Sequence, residues 1–403
     1  MTSLILNSLN SKRSKGAHTR LKLPVNYKLM EWDRPPWEIN EFIELKYTIN
    51  PSIIQGHWNE IEHSRISNAK NKISEFSNAE EWEIRKKITN PYEAVFSGED
   101  NFPSLAKVQP LSRSYFKMIE MLGLINFFTQ SRKSLVTAHI CEGPGGFVQH
   151  VVEQATGYKI PSTVFAMTLK PTRSHIPGWR RSIHFIKKYP QIQLEYGVDD
   201  TGNILNTANQ ADFCTKVYKS GGADLFTADG GFDFSVDYKN QELMAFPLLL
   251  ASFKMGLNSL KVGGVMIIKL FDIYAQATQD LFLGSATFFE SFTLYKPATS
   301  RPCNSERYFI GRGFLGMTEG LERWIDILQE AQLRHTTTPI TQLVESWPSE
   351  VKDAVNEQIL FQEEIQIQCI EDTLNLDTDT IAERIFTNIK LSKEWCKIFG
   401  VKH

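Results

Sequence analysis

The spacing of apolar residues changes character along the chain. Over Ser112–Phe128, Tyr115, Met118, Ile119, Leu122 and Ile125 recur at helical intervals, which predicts a helix. From Leu135 short apolar runs take over. Leu135–Ile140, Thr163–Met167, Gln191–Tyr196, Asp224–Ala228, Gly264–Leu270, Ser291–Tyr295 and Tyr308–Gly311 predict seven strands. Helical patterns lie between them, at Phe147–Gln154 and along Gln241–Leu260. Strands alternating with helices predict an α/β class, doubly wound around a mostly parallel sheet. After Leu315 the strand signals stop, and Glu319–Gln332, Val351–Ile370 and Thr380–Phe399 read as helices. Upstream, Glu31–Asp100 is rich in aromatics, is broken at Pro35, Pro36, Pro51 and Pro91, and predicts a helix around Trp58–Phe76. Met1–Lys22 is rich in Ser, Asn and Lys. The chain thus divides into a flexible basic arm (1–30), an N-terminal extension (31–105), a core domain (106–317) and an acidic helical C-terminal region (318–403).

Composition narrows the class. With 42% apolar and 22% charged residues, the chain is globular rather than disordered. No apolar run reaches the roughly 18 residues a membrane span needs, and Met1–Leu9 does not read as a secretion signal. Cys141, Cys214, Cys303, Cys369 and Cys396 are far apart with no C-x-x-C pair, so neither a zinc cluster nor a disulfide framework is expected. A reducing intracellular compartment follows.

The net charge of −2 conceals an asymmetry. Residues 318–403 hold 16 acidic and 8 basic side chains, so the remainder is net positive. Two stretches contain no acid. One is Met1–Met30, with Lys12, Arg13, Lys15, Arg20, Lys22 and Lys28. The other is Lys170–Pro190, where His175, Trp179 and His184 stand among Lys170, Arg173, Arg180, Arg181, Lys187 and Lys188. Bases interleaved with aromatics suit a phosphate backbone and stacked nucleobases, and equally a solvated helix face.

Candidate chemistry gathers at predicted strand ends, where open α/β sheets bind ligands. Cys141-Glu142-Gly143-Pro144-Gly145-Gly146-Phe147 follows the first core strand and opens a helix. Glycines there allow close approach to the backbone, but the spacing is not the dinucleotide G-x-G-x-x-G. Asp229-Gly230-Gly231 ends the fourth strand and could equally be a helix cap. Lys269 ends the apolar fifth strand, where a half-buried ammonium needs a partner. Glu306 sits before the last strand, and Lys117 lies on the helix before the first. Together they could place two lysines and two carboxylates around one crevice.

These motifs carry a resemblance. Leu111–Phe314 resembles the FtsJ-type (RrmJ-type) RNA ribose 2′-O-methyltransferases, most of all the subgroup that modifies mRNA caps in eukaryotes and large DNA viruses. Cys141–Phe147 is similar to the family's first S-adenosylmethionine (AdoMet) motif and Phe165–Pro171 to its second-strand segment. Thr227–Asp233 and Lys296–Tyr308 (K-P-A-T-S-R-P-C-N-S-E-R-Y) are similar to cap-group blocks. The resemblance implies a Rossmann-like, seven-stranded AdoMet-dependent methyltransferase sheet with helical extensions at both ends. It implies a Lys-Asp-Lys-Glu tetrad at Lys117, Asp229, Lys269 and Glu306. The family's G-D-I turn is here Thr201-Gly202-Asn203-Ile204, so Asp199 or Asp200 is expected to take the adenosine hydroxyl contact, beside Asn203 and Ile204.

The implied reaction moves the methyl of AdoMet to the ribose 2′-oxygen of the first (or second) transcribed nucleotide of capped mRNA. Lys269 would accept the hydroxyl proton, its charged form disfavoured by burial and by Lys117, with Asp229 and Glu306 holding the lysines. Lys170, Arg173, Arg180, Arg181 and Arg301 are the expected RNA contacts. No metal is required. Capped mRNA and other capping or transcription proteins are the implied partners, with no membrane role. The implied site of action is cytoplasmic for a viral enzyme and nuclear for a cellular one. Ribosomal or transfer RNA methylation and an inactive RNA-binding scaffold are the alternatives.

Overall fold

The structure, a computed structural model, describes residues 30–33, 43–47, 64–76, 78–98, 102–129, 132–171, 178–231, 241–335 and 340–403. Residues 1–29 of the basic arm, and Arg173 with His175, therefore lie outside the described residues. First come two short strands, β1 (Met30–Asp33) and β2 (Ile43–Tyr47), then helices α1 (Ser64–Glu75) and α2 (Ala79–Ile88). A 3₁₀ turn at Glu93–Val95 leads to α3 (Ser114–Leu124). The alternating part follows: β3 (Leu135–Ile140), α4 (Gly146–Gly157), β4 (Ser162–Met167), α5 (Ile183–Lys188), β5 (Ile192–Glu195), α6 (Thr207–Lys219), β6 (Ala223–Ala228), α7 (Gln241–Ser259) and β7 (Leu260–Leu270). Then come α8 (Gln276–Ala286), β8 (Phe289–Tyr295), β9 (Arg307–Phe314), α9 (Glu319–His335), β10 (Ile340–Val344), α10 (Ser349–Leu374) and α11 (Ile381–Ile398).

The main sheet has the order β1-β8-β9-β7-β6-β3-β4-β5. β5, β4, β3, β6 and β7 are mutually parallel, β9 runs antiparallel to β7, and β8 antiparallel to β9. The seven strands predicted from the sequence are all present. An eighth, β1, pairs antiparallel with the β8 edge, so the N-terminal extension contributes to the sheet itself. The expectation that strands stop after Leu315 is also corrected: β10 pairs antiparallel with β2. Both additions pair residues remote in sequence, and a short strand whose partner is remote leaves little local periodicity to read.

Strands covered on both faces read as continuous apolar runs. In β7, Met266, Ile267 and Ile268 are all fully buried, with α7 residues Phe253 and Met255 packed in the same core as Met266 and Ile268. The two flanks of the chain meet each other. In α10, Ile367 and Ile370 pack with Ile66 and Ala69 of α1 and Trp82 of α2. In α11, Trp395 and Cys396 pack with Tyr92, Val95 and, on α3, Phe116 and Ile119.

Strand order fixes where a ligand can sit. The chain winds from β3 outward through β4 to β5, then returns to add β6 and β7 on the other side of β3. This reversal opens a crevice beyond the strand ends. The register aligns that edge. Ile140 pairs with Ala228, and Ala228 with Ile268, so Cys141, Asp229 and Lys269 emerge side by side.

Candidate active site

A cleft of about 490 Å³ lies at this switch point, lined by Cys141, Glu142, Gly143 and Pro144 after β3, Asp229 and Gly231 after β6, and Lys269 and Phe271 at the end of β7. Ser112, Arg113 and Ser114 at the start of α3, Gln241 at the start of α7, and Asn304, Ser305 and Glu306 before β9 complete the wall. The Ser112–Ser114 segment carries no chemical motif, and only its place at a predicted helix start marks it in the sequence.

Two lysine–carboxylate pairs meet here. Lys117 Nζ lies 2.7 Å from Glu306 Oε1 and donates to Oε2 at 2.9 Å. Lys269 Nζ donates to the Asp229 carbonyl at 2.8 Å and lies 3.3 Å from Asp229 Oδ1. Tyr308, the β9 neighbour of Lys269, donates its hydroxyl to the same Oδ1 at 2.9 Å. Ser300 Oγ donates to Glu306 Oε1 at 2.8 Å. The four tetrad side chains are only 12–14% exposed.

Charge proximity sets the titration of the site. Glu306 is pushed up by burial, but Lys117 and Lys269 outweigh that and hold it down at about 2. The Lys269 expectation is corrected. Burial favours its neutral form, yet the charges of Asp229 and Glu306 prevail and its pKa lies above the ordinary 10.5. It is another lysine, Lys296, that burial carries down to about 7. Lys296 Nζ donates at 2.8 Å to the Asn304 carbonyl, to Asn304 Oδ1 and to the Glu306 carbonyl, and so fixes the turn before β9. Nothing in its K-P-A-T-S-R block singles it out as a strut.

Behind the cleft runs a polar relay. Glu142 is buried, and desolvation followed by the charge of Asp229 raises its pKa well above the carboxylate range. It accepts the Thr227 hydroxyl proton. Thr227 Oγ1 is then left to accept from His139 Nδ1–H at 2.8 Å, while His139 Nε2 accepts from Thr137 at 2.9 Å. This arrangement needs a neutral imidazole, and burial holds His139 down at about 3.

The glycines of the turn serve packing more than ligand approach. Gly145 adopts φ +104°, and a Cβ there would lie 2.9 Å from Trp179 Cζ3. A Cβ on Gly146 would stand 2.3 Å from Ser114 Oγ and 2.4 Å from Ser112 Oγ. The turn is therefore clamped between the Trp179 ring and the start of α3. Phe147 is fully buried, packed 5.9 Å from the Tyr308 ring. Of the expected cofactor contacts, Cys141, Glu142, Gly143, Pro144 and Asp229 line the cleft, whereas Gly145, Gly146 and Phe147 do not.

The loop after β5 lies outside this cleft as well. Asp199 is spent on its own loop, accepting from Thr201 N and Oγ1, Asn206 Nδ2 and Asn209 Nδ2. Asp200 pairs with Lys170 at 2.6 Å, both exposed. Asn203 Oδ1 accepts from Leu205 N at 3.0 Å, and Ile204 is buried in the core.

Arg180 and Arg181 are exposed on the 3₁₀ turn Trp179–Ser182, which is anchored by the Ser182 hydroxyl donating to the Pro144 carbonyl. Lys187 and Lys188 on α5 extend the basic surface. Arg301 departs from expectation. Its Nε and Nη2 are engaged by the buried carboxylate of Glu93, so the folded chain gives this guanidinium a structural partner. Among the described residues no group of three His, Cys, Asp or Glu side chains could hold a metal ion, and no helix is long and apolar enough to cross a membrane.

Comparison with known proteins adds the lineage. The sequence profile of FtsJ-like methyltransferases matches residues 110–314. The cap-specific mRNA (nucleoside-2′-O-)-methyltransferase 1 of Dictyostelium discoideum is 32% identical over 251 residues, 58% of this chain and 32% of that one. The protein of the same name from Trypanosoma cruzi is 34% identical over 184 residues, covering 45% and 49%. The one from Homo sapiens is 30% identical over 285 residues, covering 65% and 32%. The chain thus spans between a third and a half of the length of these relatives. The family profile spans half of this sequence, and its limits enclose both the parallel sheet and every tetrad residue: the chain belongs to the FtsJ-like methyltransferase family.

Proposed function

We propose that this chain methylates the ribose 2′-oxygen of the first or second transcribed nucleotide of capped mRNA, with AdoMet as donor. The observation that carries the proposal is the meeting of two lysine–carboxylate pairs at the switch-point cleft of an FtsJ-like domain. The relatives' names supply the cap specificity.

The cleft residues fit the donor. The volume is in the range of small-molecule sites. Glu142 Oε2 is buried without a hydrogen-bond partner, and the ammonium of the donor's methionine part would supply one and offset the burial and Asp229 charge that disfavour the ionised carboxyl. Cys141–Pro144 would hold that part, and Asp229 would border it. When bound, AdoMet would supply an electrophilic methyl on a sulfonium, and a positive charge brought into the cleft would loosen Lys269's hold on its proton. Asp229, itself held by the Tyr308 hydroxyl, fixes Lys269 in place. Lys117, held by Glu306, adds a positive charge where the hydroxyl oxygen becomes negative. Lys269 accepts the hydroxyl proton in the fraction of molecules in which it has already released its own proton to solvent. Because Asp229 and Glu306 keep Lys269 protonated in the free protein, the rate rises with pH through and beyond neutrality. Arg180 and Arg181, on the turn anchored to Pro144, and Lys170, exposed and paired with Asp200, form the surface for the RNA backbone. Tetrad geometry and basic surface together favour a capped-RNA enzyme over an inactive scaffold, and capped mRNA is the partner.

The test is transfer of labelled methyl from AdoMet to short RNAs with and without a cap, followed by mapping of the methylated nucleotide. Label on the 2′-oxygen next to the cap, dependent on the cap, is expected. Equal transfer to uncapped ribosomal or transfer RNA refutes cap specificity, and no transfer to any RNA refutes the activity.

A further inference from the structure

Glu93 lies outside the family domain, in the 3₁₀ turn Glu93–Val95, and its side chain is only 3% exposed. It is the acceptor hub of a buried network. Its Oε1 accepts from Arg113 Nη1 and from Arg301 Nη2, both at 2.8 Å. Its Oε2 accepts from Arg301 Nε at 3.1 Å and from Asn90 Nδ2 at 2.6 Å. Burial raises its pKa, but the two guanidiniums overcome that and keep it ionised. Arg301 thus meets it as a fork on both oxygens, the rigid form of this pairing.

The two arginines are the roots of the two halves of the tetrad's first pair. Arg113 lines the cleft and stands at the N-cap of α3, one turn before Lys117. Arg301 follows Ser300, the donor to Glu306 Oε1, in the turn that Lys296 braces. Lys117 and Glu306 come from elements separated by most of the domain, and Glu93 ties both elements to one carboxylate. The turn that carries Glu93 is itself held from outside the domain. Tyr92 and Val95 pack with Trp395 and Cys396 of α11, and Asn388 of α11 donates to the Ile88 carbonyl at 2.8 Å.

We propose that Glu93 is a positioning residue of the reaction: by bridging Arg113 and Arg301 it sets the spacing of Lys117 and Glu306, so the N-terminal extension and α11 are working parts of the active site. The inference rests on the proposed methyl transfer. Misplacement of a reacting group by about 1 Å can cost roughly 100-fold in rate. The network is also electrostatic. One carboxylate offsets two guanidiniums, of which Arg113 also feels the charge of Glu306, so losing it leaves a net positive field that lowers lysine pKa values.

The test compares wild type with Glu93→Gln and Glu93→Asp, using single-turnover methylation against pH, AdoMet affinity by calorimetry and thermal unfolding. Glu93→Gln removes the charge. It should lower the rate by about 10–100-fold, leave AdoMet affinity within a few-fold, and move the midpoint of the pH–rate rise to lower pH. Glu93→Asp keeps the charge but cannot span both guanidiniums, so its rate should fall with the midpoint unmoved. If Glu93→Gln does not fold, Glu93→Asp carries the test alone. Wild-type rates in both variants, with only a lower unfolding temperature, would make Glu93 purely structural and overturn the proposal. Wild-type protein that methylates no RNA would instead overturn the reaction itself, and the inference with it.

Discussion

Replacing Glu306 by Gln keeps an acceptor for Ser300 and Lys117 and removes only the charge. The size of the effect follows from the carboxyl's own titration. Its pKa falls from 4.5 to about 2 because two lysines face it. That difference corresponds to about 3 kcal/mol of folding free energy at neutral pH. Glu306 is 13% exposed, so solvent screening reduces the figure little. The sign is that of a depressed carboxylate. The contribution is complete above the ordinary 4.5 and fades as pH falls through about 2. At about pH 3 only about 1.4 kcal/mol remains. Urea unfolding of both proteins at several pH values measures this directly. The stability gap should be about 3 kcal/mol at neutral pH and shrink by more than half on acidification. A gap that stays constant between neutral pH and about pH 3 would refute the reasoning, because the Lys117–Glu306 pair would then not be what holds the carboxylate ionised.

The other variants probe separate parts of the site. Lys269→Met should leave AdoMet and RNA affinities within a few-fold and lower the single-turnover rate by roughly 10²–10⁴. A Lys269→Arg enzyme with near-normal turnover would exclude Lys269 as proton acceptor, since guanidinium stays protonated. Because its pKa is raised on folding, Lys269 also stabilises the protein, fully below its ordinary 10.5, and that advantage over Lys269→Met should fade as pH rises from there through the raised folded value. Gly145→Ala forces a side chain into a left-handed conformation against Trp179, and should cost about 1–3 kcal/mol in thermal unfolding. An unchanged unfolding temperature would disprove the clamp. Reversing Arg180 and Arg181 to Glu should weaken RNA binding and flatten its salt dependence while AdoMet affinity holds. Identical salt slopes would make that turn an ordinary solvated surface.

The amino-acid sequence alone determined the parallel core. Two-sided burial writes itself into β3, β4, β6 and β7 as largely apolar runs, the glycine turn, Asp229 and Lys269 stand at the ends of β3, β6 and β7, and Glu306 stands just before β9, because ligand chemistry in this architecture must sit there. What depends on distant partners was not legible. β1 and the β2–β10 pair exist only through strands far away in sequence. Arg301 reads as a free cation until folding brings Glu93 against it. For Lys269 the sequence names opposing influences, burial and Lys117 against Asp229 and Glu306, and only the folded chain decides that the carboxylates prevail, because a pKa is the sum of burial and of charges contributed by other elements. Gly145 and Gly146 read as room for a ligand, whereas the folded chain fills that room with Trp179 and the start of α3. Residue types and local periodicity are properties of short segments. Spacing, burial and electrostatic balance are properties of the assembled sheet and of the flanking helices that close around it.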